Sequence, residues 1–144
     1  MAKPAETAEL TDSERGQIID QAEGWIGTKY KLGGNTEEGI DCSNLVHRAY
    51  QEAGFDYGYT MTTSDWGKAG FKETTDPKPG DLILWEPLSG KEHGHIGIVL
   101  DAETKTFIGA QKSTGVAEES YDQNKYWGKR PYIFLRYEKP SVTQ

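Results

Sequence analysis

Apolar positions recur at helical spacing in the N-terminal part of the chain. One stretch places five apolar residues on a single helical face: Ile18, Ile19, Ala22, Trp25 and Ile26. This period predicts an amphipathic helix over about residues 12 to 26. Thr11 and Glu14 are spaced as a capping box, which marks the start of that helix.

A second helical stripe begins directly after Asp41. Its apolar members are Leu45, Val46, Ala49, Tyr50 and Ala53. Gly54 follows them as the predicted C-cap. Ahead of the stripe, the pair Gly33 and Gly34 breaks any regular element and permits the backbone to come close to a ligand. The pattern therefore predicts a loop followed by a helix, with Cys42 in the first turn of that helix.

The C-terminal half carries short β-branched or aromatic runs separated by turns, and the turn sequence DPKPGD leads into the first of them. Four strands are predicted: DLILWE (81–86), HIGIVLD (95–101), TFIGAQ (106–111) and YIFLRYE (132–138). Helices that precede a run of such strands are typical of one fold class. We therefore expect an α+β fold, with N-terminal helices packed on an antiparallel sheet.

Length and composition are those of one domain. The chain has 144 residues, 35% of them hydrophobic, which is enough to bury a core. Residues 1–10 are rich in Ala, Glu and Thr, so we predict a flexible leader there. Residues 11–140 are predicted to form a single domain, and residues 141–144 a tail.

The charge balance and the absence of long apolar runs exclude some partners. A net charge of −7 argues against a nucleic-acid binder, because phosphate contacts need clustered Lys and Arg. The same charge disfavours an anionic membrane surface. The start of the chain, MAKPAETAELTDSE, lacks the apolar core of a signal peptide. We therefore expect neither a nucleic-acid nor a membrane partner, and a protein made in the cytoplasm without a secretion signal.

The only cysteine is Cys42, so the chain forms no internal disulfide. At a helix N-terminus, a thiolate gains from the backbone N–H groups and the positive end of the macrodipole. Position alone leaves two interpretations open with equal weight: an activated nucleophile, or a buried and inert cysteine.

A nucleophilic cysteine needs a base, and the chain offers three histidines. His47 lies five residues after Cys42 on the same helix, so its side chain points away from the thiol. His93 and His95 flank Gly94 at the start of a predicted strand. His95 belongs to the strand itself and is the better base, whereas His93 sits in a looser turn. An ordinary strand-end histidine is the alternative.

Four motifs, taken together, resemble the NlpC family of peptidoglycan endopeptidases in order and spacing. They are G-x-x-Y-x-x-G-G from Gly27, D-C-S-x-L-V from Asp41, P-G-D-L-I-L-W from Pro79 and H-I-G-I-V-L from His95. The resemblance covers about residues 15 to 137 and implies a papain-like fold. Because cysteine precedes histidine, it implies the unpermuted form of that fold.

The resemblance implies a role for each motif residue. Cys42 would be the nucleophile and His95 the base, with the Tyr30 hydroxyl near the oxyanion. Asp41 and Ser43 would be substrate contacts. Gly33 and Gly34 would let an extended substrate approach the thiol. Two alternatives stay open, namely Tyr30 as a loop residue packed on the helix and Asp41 as a simple N-cap.

The chain departs from the family pattern at the third catalytic position. Many members carry a histidine in a strand reading F-[IV]-H-A, whereas this strand reads F-I-G-A-Q with Gly109 in that place. Gln111 lies two residues on and shares the strand face, so its amide oxygen is a candidate to orient the His95 imidazole. A solvent-facing glutamine is the alternative.

The resemblance also implies a substrate and a setting. It implies hydrolysis of peptidoglycan stem peptides, at the bond between γ-D-glutamate and diaminopimelate, through an acyl-enzyme that needs no metal or other cofactor. A small domain without a signal or wall-binding module resembles amidase effectors of type VI secretion, with phage enzymes as a second possibility. Such an effector would act in the periplasm or wall of a target cell, and an immunity protein would plug its active site.

Two other functional classes stay open at this stage. A thiol acyltransferase or deamidase acting on a protein would use the same cysteine and histidine with a different acceptor or substrate. A papain-like binding module without activity would be consistent with the departure at Gly109.

Overall fold

The computed structural model describes residues 7–58, 63–85 and 94–140. In chain order its elements are β1 (Thr7–Glu9), α1 (Asp12–Glu23), β2 (Asn35–Thr36), β3 (Gly39–Ile40), α2 (Cys42–Glu52), α3 (Thr63–Lys68), β4 (Phe71–Thr74), β5 (Leu82–Trp85), β6 (His95–Asp101), β7 (Thr106–Gln111), β8 (Gly115–Ser120), a 3-10 helix (Trp127–Lys129) and β9 (Ile133–Pro140).

The strands form one antiparallel sheet with a second, two-stranded sheet beside it. The main sheet has the order β1-β9-β5-β6-β7-β8, and β4 also pairs with β9. β2 and β3 form the small sheet. Helices α1 and α2 share one apolar core with the main sheet, in which Ile18, Leu45 and Ile108 are fully buried. Burial of each such side chain stabilises the fold by about 1.5–3 kcal/mol, so the helix layer is held on the sheet. This is the predicted α+β layout.

Helix α1 begins as predicted but ends earlier. The Thr11 side chain accepts from the Glu14 backbone N–H at 3.1 Å, and Glu14 accepts from the Thr11 N–H at 2.8 Å, which completes the capping box. The helix ends at Glu23 rather than near residue 26. Trp25 lies beyond the Gly24 C-cap, and its indole N–H donates to Glu52 on α2 at 3.1 Å.

The predicted leader is wrong over its last residues. Thr7–Glu9 form β1, which pairs with the C-terminal strand β9, and Leu10 is buried. The pairing joins two ends of the chain, so no local pattern announces it. Residues 1–6 and the predicted tail, 141–144, lie outside the described residues.

A buried ion cluster fixes α1 against the sheet. Asp81, which is 1% exposed, accepts from Arg15 of α1 at 2.8 Å and from Arg136 of β9 at 2.9 Å. A buried carboxylate is tolerated only when paired and hydrogen-bonded. The cluster therefore sets the position of α1 on the sheet next to β5.

Two kinds of feature, a membrane-spanning helix and a metal-binding cluster, are absent from the described residues. None of the helices there combines the length and the apolar character needed to cross a membrane. In the same part of the chain, no group of three or more His, Cys, Asp or Glu side chains could hold a metal ion.

Candidate active site

Cys42 is the first residue of α2, at the predicted N-terminus. Asp41 caps this helix by accepting from the Asn44 N–H at 2.9 Å. The sulfur accepts a hydrogen bond from the backbone N–H of Ile96, the residue that follows His95 in β6. Burial raises the pKa of the Cys42 thiol, and the N–H groups of Ile96 and Ser43 offset only part of that rise.

His95 is the first residue of β6 and pairs with Trp85 across the β5–β6 ladder. The imidazole is buried and stacks on the Trp127 indole, with ring centroids 4.3 Å apart and planes at 22°. Burial lowers the pKa of His95 to about 4, the hydrogen bond that His95 donates to Gln111 acts in the opposite direction, and the positive charge of Arg130 lowers the pKa further. The imidazole is therefore neutral at pH 7.

One cleft joins the predicted nucleophile and the predicted base. Its described lining consists of Tyr30, Cys42, Gly94, His95, Ala110, Gln111, Lys112, Ser113, Tyr126, Trp127 and Arg130. Helix α2 supplies the thiol, and strands β6 and β7 supply the residues beside it. A cleft lined by both a thiol and a neutral imidazole has the parts needed for covalent acyl transfer.

Gln111 lies where the shared strand face predicts it. The atom Gln111 Oε1 is 3.1 Å from His95 Nε2. Gln111 Nε2 donates to Thr114 Oγ1 at 3.2 Å and to the Ala117 carbonyl at 3.4 Å. Gln111 is itself 3% exposed, so this amide is held by the fold and does not face solvent.

These contacts determine the protonation state of the imidazole nitrogens. A carbonyl only accepts, so the Gln111 NH₂ group faces Ala117 and its oxygen faces His95. Thr114 donates its own proton to the Gly115 carbonyl at 2.9 Å and therefore accepts from Gln111. His95 Nε2 must then carry the proton, which leaves Nδ1 as the basic nitrogen.

Gly109 makes room for Gln111. A Cβ at position 109 would lie 2.4 Å from Gln111 Oε1 and 3.2 Å from His95 Nε2. Any side chain there would displace the amide. In this chain the partner of the imidazole therefore comes from position 111, in the space that the absent side chain at position 109 leaves open.

Tyr30 lines the cleft beside Cys42. Its backbone forms a bridge with Ile40 of β3, which ties the loop to the small sheet. Burial raises the pKa of Tyr30, and the neighbouring Cys42 and Asp41 raise it further. The phenol therefore keeps its proton at neutral pH and is able to donate a hydrogen bond toward the reacting carbonyl.

Asp41 is the N-cap of α2. Its carboxylate is buried; one oxygen accepts from the Asn44 N–H and, at 3.3 Å, from the Ser43 hydroxyl, and the other accepts from the Gly33 N–H at 2.9 Å. The carboxylate thus clamps the glycine loop to the start of α2. The N-cap role is therefore observed, and the substrate contact of Asp41 stays a prediction.

The described lining of the cleft does not include the other predicted substrate residues, Ser43, Gly33 and Gly34. Gly34 is required by packing, because a Cβ there would lie 2.4 Å from the Gly39 carbonyl oxygen. Gly33 has a positive φ of 75°, which suits glycine in the turn that Asp41 clamps. Both glycines therefore shape the loop that carries Tyr30. The sequence pattern alone did not distinguish this structural role from the close approach of a ligand.

Of the two remaining histidines, His47 lies in the described part of the chain and His93 does not. His47 Nε2 lies 3.2 Å from Asp56 Oδ1 and packs edge-on against Tyr57, away from the cleft as predicted. His93 lies outside the described residues.

Two site residues were missed in the sequence. Trp127 covers the imidazole, and Arg130 stands over the Trp127 ring with its guanidinium carbon 5.5 Å from the ring centroid. Both come from the segment YWGKR, whose local pattern predicts neither helix nor strand. Its cluster of aromatic and basic residues is the one feature that could have drawn attention to it.

Known proteins share the sequence pattern of this chain. The model of the NlpC/P60 family matches residues 27–136. Murein DD-endopeptidase MepS/Murein LD-carboxypeptidase of Escherichia coli K12 is 32% identical over 119 residues, covering 81% of this chain and 59% of that protein. The probable endopeptidase NlpC of Escherichia coli K12 is 36% identical over 129 residues, covering 88% of this chain and 81% of that protein. The chain therefore spans about three-fifths of the length of MepS.

Solved structures show the same fold. The NlpC/P60 domain of peptidoglycan hydrolase SagA is 27% identical, with a TM-score of 0.62, and covers 89% of this chain and 98% of that chain. A chain of the type VI effector-immunity complex Tae3-Tai3 from Ralstonia pickettii is 22% identical, with a TM-score of 0.55 and coverage of 85% and 98%. At that identity the second likeness concerns the fold alone. The chain belongs to the NlpC/P60 family, as its motifs predicted, and the relatives compared here carry the names of endopeptidases and a hydrolase.

Proposed function

We propose that this chain is a cysteine endopeptidase that hydrolyses stem peptides of peptidoglycan, with Cys42 as nucleophile and His95 as base. The observation that carries the proposal is the orientation of His95 in the cleft that holds Cys42. The Gln111 amide accepts from Nε2–H, so Nδ1 is the nitrogen available to take the thiol proton. The family membership supports the substrate class.

The resting pair is neutral. The raised pKa of Cys42 and the lowered pKa of His95 both favour the uncharged forms. His95 therefore acts as a general base during attack, and the imidazolium forms together with the tetrahedral intermediate. Gln111 then accepts a hydrogen bond from a charged donor, which is stronger than the bond it accepts at rest.

The reaction divides into two halves. In the first, His95 takes the Cys42 proton, the sulfur attacks the scissile carbonyl, and the Cys42 N–H and the Tyr30 hydroxyl stabilise the oxyanion. His95 then protonates the departing amine, the C–N bond breaks, and the acyl group remains on the Cys42 sulfur as a thioester. In the second half, His95 removes a proton from water, the hydroxide attacks the thioester, and the carboxylic acid is released with the thiol restored.

For the bond itself we propose the amide between γ-D-glutamate and diaminopimelate. The test is digestion of purified sacculi followed by mass analysis of the fragments, with Cys42→Ala as the matched control. Disaccharide-dipeptides are expected. Intact tetrapeptide stems would assign the crosslink instead, and sugar chains freed of the whole peptide would assign the lactyl amide.

The two other classes give different results in the same set of assays. Inert sacculi together with alkylation of Cys42 that slows in His95→Ala would favour an acyltransferase or deamidase that acts on a protein. Alkylation of Cys42 at a rate that His95→Ala leaves unchanged would favour a binding module without activity. The effector role, the immunity protein and the periplasmic site of action remain predictions.

A further inference from the structure

The buried imidazole of His95 has three aromatic neighbours that differ in their orientation. Trp127 of the 3-10 helix stacks on it, with ring centroids 4.3 Å apart and planes at 22°. Trp85 of β5 lies 5.5 Å from it at 32°, and Phe107 of β7 lies 6.1 Å from it at 69°. The described lining of the cleft includes Trp127 and neither Trp85 nor Phe107. Of the three rings, Trp127 is therefore the one that covers the imidazole on the side of the cleft.

The parallel arrangement belongs to the contact with His95 and is not general to the packing of Trp127. With Trp85, Phe107 and Tyr126 the same indole forms tilted or edge-on pairs, at 52°, 89° and 81°. Aromatic side chains that fill a core commonly meet at such angles. A plane angle of 22° to the imidazole thus indicates a role beyond the burial of apolar surface.

The stacked ring and the hydrogen bond to Gln111 restrict different movements of the imidazole. Gln111 holds one atom, Nε2, at 3.1 Å. A single hydrogen bond at the edge of a ring fixes a distance but leaves the ring plane free to tilt about that contact. Trp127 lies against the face of the ring, so any tilt would drive one edge of the imidazole into the indole. The two contacts together define the position and the plane of the imidazole, and hence the direction of Nδ1.

Trp127 is itself held by the sheet. Its carbonyl accepts from the Trp85 indole N–H at 2.9 Å, and Trp85 is fully buried. A Cβ at Gly128 would collide with the Asp122 carbonyl, so the turn that carries Trp127 packs tightly on the preceding chain. A ring fixed in this way is a rigid wall, as a group that orients a catalytic side chain needs to be.

We propose that Trp127 is a positioning residue for His95, which fixes the plane of the imidazole through the stacked rings and so keeps Nδ1 directed at the Cys42 thiol. This inference rests on the proposed function, in which His95 is the base, and deepens it by adding a residue that acts through that base. Trp127 holds the plane of the imidazole, and Gln111 holds its edge.

The first test needs no substrate and reports the geometry directly. Protons over the face of an aromatic ring are shifted upfield, because the ring current opposes the applied field there. The carbon-bound ring protons of His95 are measured by NMR in the full chain with isotope-labelled histidine, and His95→Ala identifies their signals. They should lie upfield in the parent, return toward ordinary values in Trp127→Leu, and stay largely upfield in Trp127→Phe, which keeps a flat ring.

The second test follows the effect through His95. In alkylation of Cys42 by iodoacetamide, Nδ1 of His95 takes the thiol proton, the S–C bond forms and iodide leaves. Trp127→Leu is expected to slow alkylation roughly tenfold, because a misdirected base loses part of its effect, and Trp127→Phe should slow it less. In a His95→Ala background Trp127→Leu should have no further effect. An equal slowing in both backgrounds would overturn the proposal, since the indole would then not act through the imidazole.

A matched tryptophan controls for general destabilisation. Trp66 is 2% exposed and packs on Phe71 in the other hydrophobic cluster. Trp66→Leu should lower the melting temperature but leave the His95 ring-proton shifts and the alkylation rate unchanged. If Trp127→Leu also leaves both readouts unchanged, Trp127 is a packing residue and the proposal is wrong.

Two further outcomes remain informative. Trp127→Met, which fills irregular gaps in a core, replaces Trp127→Leu if the leucine variant does not fold. If His95→Ala itself leaves the alkylation rate unchanged, the proposed base fails, while the ring-proton shifts still decide whether Trp127 holds the imidazole.

Discussion

Gln111 Oε1 accepts a hydrogen bond from His95 Nε2 at 3.1 Å, and the oxygen occupies the space that a side chain at Gly109 would fill. A neutral amide therefore holds the imidazole in this protein. Burial lowers the pKa of His95 to about 4, and the hydrogen bond to Gln111, which fixes the tautomer without adding a negative charge, offsets only part of that shift.

The dyad is tested first by removal of its members. Cys42→Ala and His95→Ala should each lower kcat by more than about a thousandfold, since they supply the nucleophile and the base. Cys42→Ala should leave the melting temperature near that of the parent. His47→Ala is the matched control and should keep most of the rate, because its side chain contacts Asp56 outside the cleft. Activity of Cys42→Ala within tenfold of the parent would refute the assignment.

The pH dependence reports the environment of His95. Burial holds the His95 pKa below its usual value, so the base is neutral above about pH 4 and is protonated only as the pH falls through that value. The acid limb of kcat/KM should therefore lie near pH 4. Gln111→Glu places a carboxylate beside Nε2, stabilises the imidazolium and should move this limb to higher pH. An unchanged limb in Gln111→Glu would show that residue 111 does not act on the imidazole.

Gly109 and Gln111 should behave as one unit. Gln111→Ala should lower kcat roughly ten- to a hundredfold, because the imidazole loses the group that orients it. Gly109→His should also be impaired, since a Cβ there displaces the Gln111 amide. The double variant Gly109→His with Gln111→Ala restores the family pattern and should be more active than either single variant. If the losses of kcat in the two single variants simply add in the double variant, Gly109 and Gln111 do not behave as one unit.

The buried ion cluster should dominate the stability of the helix layer. Asp81→Ala leaves Arg15 and Arg136 without their shared carboxylate and should lower the free energy of unfolding by about 3–5 kcal/mol. Glu9→Gln is the control, because the Glu9 side chain is exposed and should cost less than about 1 kcal/mol. Chemical denaturation measures both. A loss for Asp81→Ala as small as that of Glu9→Gln would rule out the role given to the cluster.

The predicted effector role is tested by the compartment in which the chain is toxic. Expression directed to the periplasm of a host should cause lysis, whereas cytoplasmic expression should be harmless, because the proposed substrate lies outside the inner membrane. Cys42→Ala directed to the periplasm is the control and should not lyse cells. Equal toxicity in both compartments would instead favour a cytoplasmic protein as substrate.

The elements with strong local patterns could be predicted from the sequence. Strands β6 and β7 have the predicted bounds, and α2 begins at Cys42, where the Asp41 cap and the apolar stripe place it. Period and capping are set by residues within one or two turns of each other, so they are visible without the fold. The same locality placed Gln111 on the face of Gly109.

Elements that depend on distant partners could not be predicted. β1 exists because it pairs with β9, and β4 and β8 were missed since their short polar runs become strands only beside β9 and β7. The ion pairs of Asp81 join residues more than 50 positions apart. Edge pairing and buried ion pairs take their stability from partners that the fold brings close, and a local window contains none of them.

The features of the active site also divide into those that local sequence patterns predict and those that depend on contacts between distant residues. The sequence by itself determined which residues are candidates for the site, namely Cys42, His95 and Gln111, because each lies in a motif of fixed local spacing. Only the tertiary structure decided that Asp41 is a clamp, that Trp127 covers His95, and that Arg130 brings a positive charge to the cleft. The roles of Trp127 and Arg130 arise where a turn near the C-terminus packs on a strand more than thirty residues earlier. Burial and charge at that contact depend on three-dimensional distance rather than on order along the chain.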